Sequence, residues 1–136
     1  MSGSRLINDR SFVCDSLRGM TIKKFLAYHE SDNVEEITMI FLKLEEKELW
    51  QRFFLDASFG FWEEWDEEGS FDGFEDDPFI DLSEKYKLSG SKVFDIVCSG
   101  SYDELSSLYF KLGEIELGLK YRDESDYESC TVLKRL

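Results

Sequence analysis

Apolar and polar side chains alternate along two adjacent stretches in the second half of this 136-residue chain. Over residues 107–112 an apolar side chain occupies every second position, and the same period of two returns over residues 115–121. This period is typical of a β-strand with one buried face. The dipeptide Gly113-Glu114 separates the two stretches. A two-residue loop between alternating stretches predicts a β-hairpin.

The first half of the chain carries a similar pattern. Residues 17–22 match residues 88–93 at an offset of 71 positions, and residues 36–44 match residues 104–112 at an offset of 68. The change of offset falls in a connecting loop, where a difference in length costs little free energy. The sequence therefore predicts an internal repeat of two strand-hairpin halves, at residues 17–56 and 88–122.

Together these patterns predict a mostly β protein. The expected strands lie near 20–29, 35–44, 48–56, 92–98, 104–112 and 114–122, with a last strand near 129–133. Residues 81–87 are the best candidate for a short helix, and residues 6–14 fit either a short helix or an edge strand. We expect a single domain over residues 1–136, an antiparallel sandwich or half-barrel with one or two short helices. A β-rich α+β fold is the alternative.

Charge is distributed very unevenly along the chain. Residues 53–84 contain twelve acidic and nine aromatic side chains and no Lys, Arg or His, and they hold most of the net charge of −14. Acidic disordered segments are poor in aromatic residues, because they cannot bury enough apolar area to order themselves. We therefore interpret residues 57–79 as an acidic-aromatic insert that forms a folded or docking surface for a basic partner.

Composition also bears on partners and location. A sequence pI near 4.4 argues against direct binding to nucleic acid or to an anionic membrane. No apolar stretch reaches the length of a membrane span or resembles a signal peptide, so we expect a cytoplasmic protein. Cys14, Cys98 and Cys130 form an odd set without CxxC spacing, which favours reduced thiols over a disulfide framework. The sequence does not indicate the oligomeric state.

Candidate catalytic groups are few. The single histidine, His29, ends a strand-like stretch, and no nucleophile elbow, glycine-rich phosphate loop or Cys/His metal spacing is present. Carboxylate pairs are so abundant that none of them points to a site. We predict a protein that is not an enzyme and needs no cofactor, with a carboxylate-based hydrolase as the residual alternative.

A calcium loop is the sharper metal hypothesis. With Gly73 at the sixth position of an EF-hand loop, suitable oxygen donors fall at positions one, three, five and nine. The twelfth position, where a bidentate Glu belongs, is Phe79, and no strong helix pattern flanks the loop. We therefore predict no metal site, and weak calcium binding by a dense carboxylate loop stays an alternative.

The rings of the insert have two interpretations. They either cap the sheet while their neighbouring carboxylates remain solvated, or they anchor a protein partner that the carboxylates attract. The same crowding of like charge should strain the fold. Replacing Glu63, Glu64, Asp66 and Glu67 by amides is therefore expected to leave folding intact or to raise stability.

The insert resembles bacterial immunity proteins of contact-dependent and polymorphic toxin systems. The residues that carry the resemblance are Phe59-Gly60-Phe61-Trp62-Glu63-Glu64-Trp65 and Glu75-Asp76-Asp77-Pro78-Phe79. The resemblance implies a stoichiometric inhibitor that plugs the basic cleft of a cognate toxin, such as a nuclease, with carboxylates in place of phosphates. The partner-binding residues implied are Trp62, Glu63, Glu64, Trp65, Asp66, Asp72, Glu75, Asp76 and Asp77.

Two further classes of binding protein fit the same residues. An acidic nucleic-acid mimic would present this surface to a DNA-binding enzyme. A small-ligand or carbohydrate module would instead use the Trp and Phe rings as stacking platforms, and its binding would depend little on salt.

Overall fold

Two antiparallel β-sheets pack against each other in the computed structural model of this protein. The structure describes residues 3–29, 36–56, 59–66, 69, 79–101, 105–121 and 131–136. Its strands are β1 (Gly3–Asp9), β2 (Phe12–Val13), β3 (Ile22–His29), β4 (Ile37–Leu44), β5 (Trp50–Asp56), β6 (Phe59–Trp65), β7 (Phe79–Asp81), β8 (Val93–Ser99), β9 (Ser107–Leu112), β10 (Ile115–Tyr121) and β11 (Thr131–Arg135). A 3-10 helix spans Asp15–Leu17 and a short α-helix, α1, spans Leu82–Lys85.

The strand order defines the two layers. Sheet A has six strands in the order β1-β6-β5-β4-β3-β7, and sheet B has five in the order β11-β10-β9-β8-β2. All the registered strand pairs are antiparallel. The prediction of a mostly β, two-layered antiparallel fold is confirmed. Among the described residues, no helix combines the length and apolar character that a membrane crossing requires.

The core lies between the sheets and is built from alternate positions of their strands. Phe25 of β3, Phe53 of β5 and Phe110 of β9 are fully buried. The ring of Phe110 meets Phe25 at 5.5 Å and Phe53 at 5.6 Å between centroids, both in edge-to-face geometry. Edge-to-face contacts place the positive edge of one ring on the negative face of another, so Phe110 joins sheet B to sheet A through aromatic contacts.

The predicted helix and terminal strands have clear structural counterparts. Asp81 caps α1, because its Oδ1 accepts a hydrogen bond from the backbone N–H of Glu84 at 3.1 Å. Residues 6–14 were predicted to form either a short helix or an edge strand, and they contribute to strands β1 and β2. The last strand, expected near 129–133, is described over Thr131–Arg135, and residues 129–130 lie outside the described residues.

The two sheets repeat the same register. In sheet A, Phe25 of β3 pairs with Leu42 of β4, and in sheet B the residues at the corresponding offsets, Ile96 and Phe110, also pair. Each pair of strands also contains an irregularity at the same place, after Ile22 in β3 and after Val93 in β8. Shared register and shared bulges make the β3–β4 and β8–β9 pairs geometrically equivalent.

Reciprocal backbone hydrogen bonds join these equivalent segments around the Thr21–Lys92 bridge. Every bond has a counterpart in which each residue is exchanged for the one 71 positions away. The bonds are Gly19 N to Val93 O (2.8 Å), Gly90 N to Ile22 O (2.8 Å), Ile22 N to Ser91 O (2.8 Å) and Val93 N to Met20 O (2.9 Å). The four hydrogen bonds are therefore related by a local two-fold axis. That the halves derive from one duplicated unit stays a prediction.

The strands that precede the two meanders, β3 to β6 and β8 to β11, are exchanged between the sheets. Strand β2 comes before the first meander but pairs with β8 of the second, with Phe12 opposite Cys98. Strand β7 comes before the second meander but pairs with β3 of the first, with Ile80 opposite Ala27. Each sheet therefore contains the strand that precedes the meander of the other sheet. The two sheets are joined by these crossovers and by a common core.

The structure corrects the boundary of the acidic-aromatic insert. Residues 59–65 form β6, which pairs with β5 on one side and β1 on the other. Its register on β5 corresponds to that of β11 on β10, so Trp62 occupies the place of Leu133. The sequence pattern did not predict this strand, because the carboxylates of residues 63 and 64 break the apolar alternation on both faces. Residues 57–58, 67–68 and 70–78 lie outside the described residues.

The reciprocal joint generates a paired prediction. Gly19 and Gly90 have φ angles of +84° and +89°, a backbone region that costs an L-residue about 1–2 kcal/mol. Gly19→Ala and Gly90→Ala should each lower the free energy of unfolding by about that amount in urea denaturation. Ser16→Ala, at an exposed position of the 3-10 helix, is the control and should change it by less than about 0.5 kcal/mol. A large loss at only one glycine would contradict equivalent roles in the joint.

Candidate functional site at the end of strand β6

Strand β6 presents the predicted contact residues on opposite faces of sheet A. Trp62 and Glu64 point toward sheet B, since their cross-strand partners Phe53 and Gln51 are buried on the inner face. Glu63 and Trp65 alternate with them and lie on the outer face. The sheet thus separates side chains that are neighbours in the sequence.

Trp62 is a core residue. Its side chain is 6 % exposed and stacks on Phe53, with 6.3 Å between ring centroids and 14° between ring planes. The indole N–H donates a hydrogen bond of 2.8 Å to Oε1 of Gln51. A buried indole needs such an acceptor, because an unpaired buried N–H carries a desolvation penalty.

A chain of polar contacts leads from this indole to the surface. The amide of Gln51 donates to Oε2 of Glu64 at 3.0 Å, and Lys47 Nζ lies 2.8 Å from the same oxygen. Partial burial alone would raise the pKa of Glu64. The hydrogen bonds from Lys47 and Gln51 and the charge of Lys47 outweigh burial, so the pKa of Glu64 lies below its ordinary value.

Glu63 anchors a second cluster on the outer face. Glu63 is only 3 % exposed. Its Oε1 accepts hydrogen bonds from Arg52 Nη2 at 2.8 Å and from the Trp65 indole at 3.1 Å. The Arg52 guanidinium also lies 4.8 Å from the centroid of the Trp65 ring, within the range of a cation–π contact. The three side chains form one buried or half-buried unit that fixes the end of β6.

The nine predicted partner-binding residues therefore fall into three groups. Trp62 and Glu63 are buried, and Glu64, Trp65 and Asp66 are half-buried. Asp66 also accepts a 2.6 Å hydrogen bond from the backbone N–H of Gly69. The remaining four, Asp72, Glu75, Asp76 and Asp77, lie outside the described residues.

The ion pairs correct one expectation. Glu63 and Glu64 were expected to repel their neighbours, but each has a cation at 2.8 Å. Removing either charge leaves a cation without its carboxylate, so amides at these two positions should weaken the fold. The expectation missed the strand register, which places Arg52 directly opposite Glu63.

Arg52, Gln51 and Lys47 contact the predicted residues, although none of the three was among the predicted partner-binding residues. The signal that could have found them was the density of Trp and Phe in two short neighbouring stretches, residues 50–56 and 59–65, which is typical of paired β-strands. In the described part of the chain, no group of three or more His, Cys, Asp or Glu side chains is placed to hold a metal ion.

Comparison with known proteins returned no matching family model, no matching curated protein and no matching solved structure.

The Glu63 cluster generates a stability prediction. Glu63→Gln keeps the shape of the side chain but removes the charge that binds Arg52. We expect a loss of about 2 kcal/mol in the free energy of unfolding, the scale of a hydrogen bond to a charged group. Glu48→Gln is the control, because Glu48 is exposed and has no side-chain partner among the described residues. Equal stability of both variants in urea denaturation would show that the Arg52–Glu63 pair does not anchor β6.

Proposed function

We propose that this protein is a non-catalytic, stoichiometric inhibitor that binds a basic protein through the acidic segment after β6. The observation that carries the proposal is the segregation of charge. Residues 66–77, here called the acidic connection, contain seven carboxylates and no basic side chain. A concentrated negative surface attracts a positively charged partner and raises the association rate.

Both ends of the acidic connection are joined to strands of sheet A. At its start, Glu63 holds Trp65 and Arg52 in the cluster at the end of β6. At its end, Phe79 of β7 packs on Tyr28 at 5.6 Å and on Phe41 at 5.4 Å between ring centroids. The residues on either side of the acidic connection therefore have fixed positions in sheet A.

Burial separates the roles that we propose for the individual residues. Trp62 and Glu63 act as anchors that hold β6 in the sheet, because their side chains are buried. Trp65 and Asp66, at the start of the acidic connection, remain candidates for direct contact. Asp72, Glu75, Asp76 and Asp77 supply the charge that a basic surface would meet.

The partner class follows from the chemistry of the carboxylates. A cleft that binds nucleic-acid phosphates presents Arg and Lys side chains, and carboxylates can form the same charge-assisted hydrogen bonds. An acidic protein can therefore occupy the substrate cleft of a basic enzyme. A nuclease toxin neutralised by a cytoplasmic immunity protein fits this arrangement, and bacterial toxin–immunity pairs are the biological setting that we propose.

A charge-matched pair of variants tests the proposal. The first replaces Asp72, Glu75, Asp76 and Asp77 by Asn or Gln. The control removes four exposed carboxylates elsewhere, Glu45, Glu48, Asp56 and Glu114. Each protein is immobilised, exposed to lysate of the native organism and eluted with a salt gradient, and bound proteins are identified by mass spectrometry. We expect the wild type and the control to retain the same basic protein and the first variant to lose it.

Two results would contradict the proposal. Retention of the basic protein by the first variant would remove the acidic connection from the interface. Equal loss from both variants would show that net charge alone governs the binding, without a defined surface. Circular dichroism of both variants separates these results from a failure to fold.

A further inference from the structure

A groove with a cationic rim opens at the opposite edge of the molecule from β1, between β11 and helix α1. Its volume is about 460 Å³. The apolar side chains that line it are Ile37, Ile80, Leu82 and Leu133, and the remaining lining residues are Lys85, Tyr86, Lys134 and Arg135. Strand β11 meets sheet A at this place through the Glu36–Val132 bridge, and Thr131 Oγ1 donates to the Ile37 carbonyl.

Two of the three cations of the groove lie over one aromatic ring. Lys85 Nζ lies 5.3 Å and Arg135 Cζ lies 5.9 Å from the centroid of Tyr86, and Lys134 precedes Arg135 on β11. Within the described residues, none of the three forms an ion pair. Arg18, Lys24, Lys47 and Arg52, in contrast, each bind a carboxylate at 2.8–3.1 Å.

The equivalent place in the other half of the fold is filled and its charges are paired. By register, Leu133, Lys134 and Arg135 of β11 correspond to Trp62, Glu63 and Glu64 of β6. In β6 the indole of Trp62 packs in the core and each carboxylate has a cation. In β11 a smaller leucine replaces the indole and two cations replace the acids. The same architecture thus leaves a cavity with unbalanced positive charge.

We infer that this groove binds a small organic anion with an apolar body. The chemical class is a carboxylate, phosphate or sulfonate attached to an aromatic or aliphatic group. Its anionic head would meet Lys85, Lys134 and Arg135, whose guanidinium and ammonium groups form charge-assisted hydrogen bonds with oxyanions. Its body would lie on Leu133, Ile80 and the ring of Tyr86, a combination typical of ligand pockets.

None of the residues that line the groove belongs to the acidic connection, and the charged side chains among them are cationic. The net charge of −14 repels anions from the molecule as a whole. Anion binding therefore requires a local cluster of cations, and the loss of that cluster should abolish it. The inference can fail or succeed independently of any protein partner.

The probe is the fluorescent anion 8-anilinonaphthalene-1-sulfonate, compared with its neutral analogue N-phenyl-1-naphthylamine. We expect the full chain to bind the sulfonate with one saturable site. Affinity in Lys134→Gln/Arg135→Gln should fall about tenfold or more, the effect of losing one charge-assisted hydrogen bond. The neutral analogue should bind both proteins alike. The matched control is Lys23→Gln/Lys111→Gln, which removes two exposed lysines outside the groove and should bind the sulfonate as the wild type does.

Competition identifies the body of the ligand. Displacement of the probe by decanoate indicates an aliphatic carboxylate, and displacement by adenosine monophosphate indicates an aromatic phosphate. Either result supports the site. The inference is overturned if neither anion displaces the probe, or if the groove variant and the control bind it equally. Equal melting temperatures of the two double variants would show that the affinity change is not a loss of fold.

Discussion

The reciprocal backbone joint between residues 17–22 and 88–93 is the constraint on which the structure depends. Four hydrogen bonds of 2.8–2.9 Å are related by one local two-fold axis, and two glycines with positive φ angles lie symmetrically about it. Because the joint fixes the starts of β3 and β8, it sets how the two meanders face each other. The exchange of β2 and β7 between the sheets follows from this arrangement, and the aromatic core closes between the meanders.

The two ends of the sandwich differ chemically, although their strands are related by an approximate two-fold axis. Equivalent positions on β6 and β11 carry Trp62, Glu63 and Glu64 in one half and Leu133, Lys134 and Arg135 in the other. Trp62 and Glu63 are buried, Glu64 is half-buried and both carboxylates have a cation, so the first set stabilises the sheet from which the acidic connection begins. The second set leaves an open groove with unpaired cations in the described part of the chain. Equivalent positions of one framework thereby carry paired acidic side chains in β6 and cationic side chains in β11.

Sequence reasoning predicted the meander strands well, because their apolar side chains alternate over a buried face. The hairpin at Gly113-Glu114 and the cap at Asp81 are local signals, and both could be predicted from a few neighbouring residues. Strand β6 was missed because its carboxylates, Glu63 and Glu64, are neutralised by cations on other segments. These cations are Arg52 and Lys47. Cross-strand ion pairs depend on register, which no local pattern reveals. The sequence could not predict the groove either, since helix α1 and β11, which line it, are far apart along the chain.

The central claim is that electrostatic attraction to the acidic connection drives binding to a basic protein partner. The most direct test measures the association rate constant of the captured partner as ionic strength rises from low to physiological values. Screening of charge should slow association steeply while the dissociation rate changes little. An association rate constant that does not depend on salt would contradict the claim, because binding would then rest on contacts other than the carboxylates of residues 66–77.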